Sequence, residues 1–165
     1  MNLEHIYYVG EIIGVVVIIL SLIYVGQQVR QNTQAIQVSS TQSFTDTWIT
    51  FTSNLSQSPH LADILHRGLS EGSSLKGAEI VQFYAFLGQA FAAYQSFYFQ
   101  WKRGVLDNGL WSSYRHAISD VLTNPGAAKW WQFRHHWYVQ EFQDHVEKAV
   151  LQEPRHPMYP DLPET

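Results

Sequence analysis

Residues Ile6 to Gly26 read IYYVGEIIGVVVIILSLIYVG, an apolar stretch in which Glu11 is the only charged residue. As an α-helix at about 1.5 Å per residue, this stretch extends roughly 31 Å, which is close to the thickness of the hydrocarbon core of a bilayer. No second apolar run of this length occurs in the chain. The sequence therefore predicts a single-pass membrane protein with a transmembrane anchor at 1–26 and the lipid bilayer as a partner.

The flanks of this stretch indicate an anchor that is retained rather than a cleaved secretory signal. A signal begins with basic residues and ends at a small-residue cleavage site, whereas residues 1–5 hold no Lys or Arg and the stretch ends in Leu-Ile-Tyr-Val-Gly. All ten Lys and Arg residues follow it, the first being Arg30. By the positive-inside rule, we expect the C-terminal part in the cytoplasm.

The composition limits what the rest of the chain can do. The 165 residues are 45% hydrophobic and 15% aromatic, so the part after the anchor can bury one substantial core. The absence of Cys excludes disulfides and thiolate metal sites. The net charge of −4 is negative, and it stays negative when Glu4 and Glu11 are left out, so we expect no nucleic acid partner.

The pattern along the chain is all-α. No Pro or turn cluster interrupts residues 3–53, so the transmembrane helix is expected to continue into a helical extension over 27–57. One apolar face of that extension holds Phe44, Trp48, Phe51 and Leu55. A cytoplasmic helical bundle is predicted over 58–152, and a Pro-rich tail, extended or disordered, over 153–165.

Local start and stop signals divide the predicted bundle into helices. Ser58 before Pro59 is typical of a helix start, Gly104 of a helix end, and Asp107 or Asn108 of the next start. The predicted helices are 59–69, 77–103, 107–122, 127–137 and 140–152. The second is the richest in aromatic residues and is expected to be the most buried.

Three aromatic residues near the end of the chain also suggest a buried face. Trp130, Phe133 and Trp137 lie three and four positions apart, which is typical of a core helix. The alternative is a surface that contacts the membrane or a protein partner.

Small and polar residues recur every three or four positions along the N-terminal helix. This seam contains Gly10, Gly14, Val17, Ser21 and Gln28. Its spacing is typical of helices that pack with a left-handed twist, and the G-x-x-x-G pair allows two backbones to approach closely in lipid. The seam therefore predicts a homo-oligomer interface.

Glu11, one position from the seam, has three interpretations. If the hydrocarbon segment begins at Ile12, the carboxylate lies among the headgroups at little cost. Deeper in the bilayer it would form a ring at the mouth of a cation pore. The third interpretation is a contact with a basic residue of another membrane protein.

The remaining residues contain no motif that indicates catalysis. The phosphate-binding loop, the G-x-S-x-G motif and the H-E-x-x-H motif are all missing. Glu141, Asp144 and His145 lie within about one helical turn, but a di-iron bundle needs such residues from four helices. We therefore expect no enzyme, no catalytic residue, no metal site and no cofactor.

Four short motifs carry a family resemblance. They are Leu22 to Thr33 (LIYVGQQVRQNT), Pro59 to Ala62, Gly104 to Asp107 before Trp111, and Pro125-Gly126 before Trp130-Trp131. With these motifs the chain resembles an uncharacterised family of short bacterial single-pass membrane proteins with an N-terminal transmembrane helix and a helical soluble domain. The resemblance implies a bacterial inner-membrane location. It implies no catalytic residues, because that family has no assigned activity.

Together these features predict an inner-membrane protein that self-associates through its transmembrane helix and presents a helical interaction domain. Two alternatives remain open: a small homo-oligomeric cation channel with Glu11 near the pore mouth, and an accessory subunit of a larger membrane complex.

Overall fold

In a computed structural model of the protein, the residues described, 3–70 and 74–152, form helices and no β-strand. The helices are α1 (Leu3–Gln57), α2 (Pro59–Ser70), α3 (Ala78–Lys102), α4 (Asn108–Thr123), α5 (Pro125–Arg134) and α6 (Gln140–His145). A 3₁₀ turn at His135–Trp137 follows α5, and a π-helical turn at Val146–Val150 follows α6. The all-α prediction is confirmed. The Pro-rich tail predicted over 153–165 lies outside the described residues.

The contacts divide the chain into two units, 1–39 and 40–165. In the first unit, every residue from 7 to 39 is exposed. In the second unit, residues 40–57 of α1 pack with the rest of the bundle. Ser40 is buried and its hydroxyl donates a hydrogen bond to the side-chain oxygen of Gln100 in α3. Part of the segment expected as an extension thus belongs to the folded unit.

The apolar face predicted at the end of α1 makes these contacts. The Phe44 ring lies 4.9 Å from the ring of Phe97, and the Phe51 ring lies 4.0 Å from that of Phe86. Leu55 packs against the same core. Trp48 lies at the edge of this face and is 40% exposed.

Helix α3 supplies the centre of the core, as its aromatic content predicts. Its buried residues are Phe83, Phe86, Leu87, Phe91, Tyr94, Phe97 and Tyr98. Around them lie buried residues of α2, α4, α5 and α6, among them Ile64, Trp111, Trp130 and Phe142. A single helix with apolar residues around much of its surface must be surrounded by other helices.

The predicted start and stop signals act as expected. The Ser58 hydroxyl accepts a hydrogen bond from the amide of Leu61 (3.2 Å) and caps α2. Asp107, rather than Asn108, caps α4: its carboxylate accepts hydrogen bonds from the amides of Gly109 (2.7 Å) and Leu110 (3.3 Å). Gly104 ends α3 with φ of +70°, a conformation that favours glycine.

The prediction that Trp130, Phe133 and Trp137 share a buried face is wrong. Trp130 is 1% exposed, whereas Phe133 and Trp137 are 56% and 61% exposed. The buried face of α5 contains Trp130 and Trp131, and Phe133 lies outside this face. The helix also ends at Arg134, so the change to a 3₁₀ turn alters the direction of Trp137, whose ring lies 4.5 Å from the guanidinium of Arg134.

Candidate functional site

The first candidate site is the exposed helix of the first unit. It is long and apolar enough to cross a membrane, and its apolar window is entirely exposed. Each residue predicted for the oligomer interface (Gly10, Gly14, Val17, Ser21, Gln28) is exposed, and so is Glu11. No atom lies within 4 Å of where a Cβ would be at Gly10 or Gly14. The predicted seam is therefore open along its length.

Two hydroxyl groups of this helix, those of Ser21 and Thr33, are paired within it. The Ser21 hydroxyl donates a hydrogen bond to the carbonyl oxygen of Val17 (2.8 Å), and the Thr33 hydroxyl donates one to the carbonyl oxygen of Val29 (3.0 Å). In lipid an unpaired hydroxyl would be unfavourable. At Ser21 this pairing lets the seam face an apolar environment without leaving the hydroxyl unsatisfied.

The second candidate site is a polar cluster between α3 and α6. Glu141 accepts hydrogen bonds from the hydroxyl of Tyr98 (3.1 Å) and from the ammonium group of Lys102. Nε2 of His145 lies 3.1 Å from the hydroxyl oxygen of Tyr94, and the imidazole stacks on the Tyr98 ring at 4.6 Å. The cluster joins the two helices by hydrogen bonds and ring stacking.

The electrostatics of this cluster follow from its surroundings. Burial, helped by the positive charge of Arg115, lowers the pKa of His145 to about 4. The hydrogen bond from Lys102 lowers the pKa of Glu141 below its ordinary value. His145 is therefore neutral and Glu141 ionised at neutral pH, a state that suits a structural contact.

The acidic residues and the histidine of this cluster do not converge on one point. Glu141 pairs with Lys102, His145 with Tyr94, and Asp144 with Gln140 (2.9 Å) and Lys148 (3.3 Å). Among residues 3–70 and 74–152, no group of three or more His, Cys, Asp or Glu side chains is placed to hold a metal ion.

The third candidate site is a cavity of about 250 Å³ inside the second unit. Four helices line it: α1 with Thr47, Trp48 and Phe51, α2 with Leu65 and Leu69, and α3 and α4 with the remaining side chains. The residues from α3 and α4 are Phe86, Leu87, Gln89, Ala90, Ala93, Tyr114, Ala117, Ile118, Asp120 and Val121. Most of this lining is apolar.

The cavity was not predicted from the sequence, although small residues in two aromatic-rich helices indicate where it lies. Ala90, Ala93 and Ala117 occur at helical spacing in α3 and α4, where large aromatic residues dominate. Small side chains on two facing helices leave space between them. Sequence spacing indicates that each helix has such residues, but only packing shows that they face one another.

No family model, no curated protein and no solved structure matches the chain. The resemblance of its motifs to a bacterial membrane protein family therefore stays a prediction.

Proposed function

We propose that this protein is a single-pass protein of the bacterial inner membrane, with its helical bundle in the cytoplasm. Residues 1–26 anchor it in the bilayer and associate with a second copy of the chain. The bundle serves as an interaction domain and not as an enzyme.

The observation that carries the membrane proposal is the contrast between the two units. The bundle buries its own core, including Phe91 at 0% exposed, whereas Ile12 and Leu20 in the first unit are 63% and 60% exposed. A continuous apolar surface of this size is unfavourable in water. An α-helix satisfies its own backbone hydrogen bonds, so lipid can cover such a surface at no polar cost.

The support for self-association is the open seam. In lipid, helices associate by close packing, and glycines let two backbones approach. Gly10 and Gly14 have nothing within 4 Å at their Cβ positions, and Ser21 extends the strip of small residues. The occupant we propose is the same seam of a second copy, because a symmetric pair buries the same surface on both chains.

Membrane insertion is tested by washing membranes that contain the full chain with alkaline carbonate. The wild-type chain should stay in the pellet. A variant with Ile18→Lys and Ile19→Lys should be released, because two charges at the centre of the span cost several kcal/mol, on the order of 5. Release of the wild-type chain by carbonate would overturn the proposal.

The orientation is tested with the help of the cysteine-free sequence. Lys148 is exposed in the second unit, so Lys148→Cys introduces a single reactive thiol there. A maleimide that cannot cross the membrane should label this thiol only after spheroplasts are permeabilised. Labelling in intact spheroplasts would place the bundle on the opposite side.

Self-association is tested by the mass of the solubilised protein. The wild-type chain should form a discrete oligomer, and the double variant Gly10→Leu, Gly14→Leu should dissociate. The matched control is Gly26→Leu, which has the same open surroundings but lies off the seam. A monomeric wild type would remove self-association, and a fixed ratio with a second membrane protein would favour the accessory-subunit alternative.

A further inference from the structure

One surface of the bundle combines two aromatic rings with a cation that no acidic residue neutralises. Cζ of Arg134 lies 4.5 Å from the centroid of the Trp137 ring and 5.4 Å from that of the Tyr84 ring. Among the described residues no carboxylate pairs with Arg134, and its buried Nε has no hydrogen-bond partner there. Trp137 is exposed and Tyr84 is half-buried. These three residues, which join α3 to the 3₁₀ turn after α5, form the aromatic surface.

The segment that carries Arg134 and Trp137 is positive, although the chain as a whole has a net charge of −4. Residues 127–140 contain Lys129 and Arg134 and no Asp or Glu. The one acidic residue of α3, Glu79, pairs with Arg67 at 2.7 Å. A ligand of the aromatic surface should therefore offer flat apolar groups to the rings and a negative charge to the guanidinium.

The Pro-rich tail, which lies outside the described residues, has the sequence of such a ligand. Residues 153–165 read EPRHPMYPDLPET, with prolines at intervals of three: Pro154, Pro157, Pro160 and Pro163. A polyproline II helix has three residues per turn, so this interval places all four prolines on one edge of the helix. Segments of this kind dock on surfaces lined by aromatic residues, because the helix is formed before binding and little entropy is lost.

The charge of the tail is opposite to that of the segment around Arg134. The tail contains three acidic residues and one basic residue, which are Glu153, Asp161, Glu164 and Arg155. Its net charge is therefore negative, and an acidic side chain of the tail can pair with the guanidinium of Arg134.

The length of the tail is sufficient to reach the aromatic surface. The helical residues 140–150 separate Val139 from the start of the tail by about 17 Å, whereas the 13 residues of the tail extend about 40 Å in polyproline II. The repeat also fits the two rings: because both contact one guanidinium, their centroids lie at most about 10 Å apart, and prolines three positions apart are separated by about 9 Å. Successive prolines can therefore stack on Trp137 and Tyr84.

We propose that the aromatic surface binds a polyproline II segment and that its occupant is the tail of the same chain, residues 153–165. The proline edge of the tail stacks on the rings of Trp137 and Tyr84, and an acidic side chain of the tail pairs with Arg134. The tail thus acts as an internal ligand that competes with any other proline-rich segment for this surface. The interaction lies within the second unit and does not depend on the membrane anchor.

The first test follows Trp137 in the full chain, produced with 5-fluorotryptophan and held in detergent micelles. The ¹⁹F resonance of Trp137, assigned with Trp137→Phe, should move in the double variant Pro157→Ala, Pro160→Ala, because the tail leaves the ring. The matched control is Met158→Ala, Thr165→Ala, which retains the four prolines and every charge of the tail. This control should leave the resonance where it is in the wild-type chain.

The second test adds the tail as a separate, fluorescein-labelled peptide of residues 153–165 and measures its anisotropy. A chain shortened to end at Gln152 retains every described residue and leaves the aromatic surface open. It should bind the peptide saturably and at least about 10-fold more tightly than the full chain does, because the attached tail competes at a high effective concentration. A peptide with alanine at positions 157 and 160 should bind about 10-fold more weakly, since it is less ordered before binding.

Variants of the shortened chain locate the binding surface. Arg134→Gln removes the charge and should weaken peptide binding about 2- to 10-fold. If Arg134→Gln does not fold, Trp137→Ala takes its place, because that side chain is exposed. The matched control is Trp48→Ala, which removes a partly exposed ring elsewhere in the bundle and should leave peptide binding unchanged.

The proposal is overturned by any of three results. One is the same Trp137 resonance in the wild-type chain and in the proline variant. Another is peptide binding to the shortened chain that never saturates, or that is equally tight without the two prolines. The third concerns a fluorinated shortened chain mixed with unlabelled full chain: a shift of its Trp137 resonance to the full-chain position would show that the tail binds a second copy and not its own bundle.

Discussion

Gly126 in α5 lies so close to Gly68 in α2 that a Cβ atom at position 126 would overlap the carbonyl oxygen of Gly68. Both glycines are buried. Gly68 also lies against the ring of Phe83 in α3, where an added Cβ would lie 2.5 Å from Cδ2. The close packing of α2 against α3 and α5 therefore depends on glycine, which has no side chain, at both positions.

We expect Gly126→Ala to lower the free energy of unfolding by about 2–4 kcal/mol, because the backbone of α2 would have to move. The matched control is Gly88→Ala in the interior of α3, where a Cβ would lie 4.0 Å from Cζ2 of Trp130, an ordinary contact. This control should leave stability unchanged or raise it by up to about 1 kcal/mol. Denaturant titrations followed by tryptophan fluorescence measure both, and equal stabilities would contradict the prediction.

The N-cap of α4 gives a second prediction. Asp107→Ala removes the acceptor for the amides of Gly109 and Leu110 and should cost about 1 kcal/mol of stability. Asp107→Asn retains an acceptor oxygen and should cost only a few tenths of a kcal/mol, on the order of 0.3. The same denaturant titrations check this order. An alanine variant as stable as the asparagine variant would show that the cap contributes nothing.

The partly buried imidazole of His145 predicts a loss of stability in mild acid. Its pKa in the fold is about 4, below the ordinary value of 6.5, so between these two values the unfolded chain binds a proton that the folded chain does not. The stability is therefore full above about pH 6.5 and falls as the pH approaches 4. Because the side chain is only partly buried, we expect a loss of about 1–2 kcal/mol.

The variant His145→Gln tests this, since the amide can still pair with the hydroxyl of Tyr94. Its stability should decline less than that of the wild-type chain between pH 7 and pH 5. Parallel pH curves for the two proteins would show that the imidazole does not cause the decline.

The ion pair between Arg67 and Glu79 predicts a decline in a lower pH range. It spans 2.7 Å, and Arg67 also pairs with Asp63 at 2.8 Å. The hydrogen bond from Arg67 lowers the pKa of Glu79 from 4.5 to about 2, so the stability from this pair is present above about pH 4.5 and lost as the pH falls to 2. Glu79→Gln should destabilise the protein at pH 7 more than at pH 3. An equal effect at both values would contradict the assignment.

The features that could be predicted from the sequence are those that local interactions decide. The ends of α2, α3 and α4 were predicted to within one or two residues, because Ser58, Gly104 and Asp107 act on the amides and carbonyls next to them. The position of α3 at the centre also follows from its own composition, since a helix with apolar residues on most of its surface must be covered.

The face that α5 buries could not be predicted in the same way. Periodicity shows which residues share a face but not which face meets the core, and Trp131 is buried while Phe133 is exposed. Two further features could not be predicted from the sequence: the contact of Gly68 with Gly126 and the cavity lined by Tyr114. Each forms between helices that lie far apart in the sequence.

The sequence by itself determined that the chain is helical, where most helices begin and end, and that its N-terminal helix is apolar enough to cross a bilayer, because these properties depend on neighbouring residues and on length. Only the tertiary structure decided that residues 40–57 join the bundle and that side chains of four helices leave a cavity between them. Those outcomes depend on how several helices fill one volume, and no single segment carries that information.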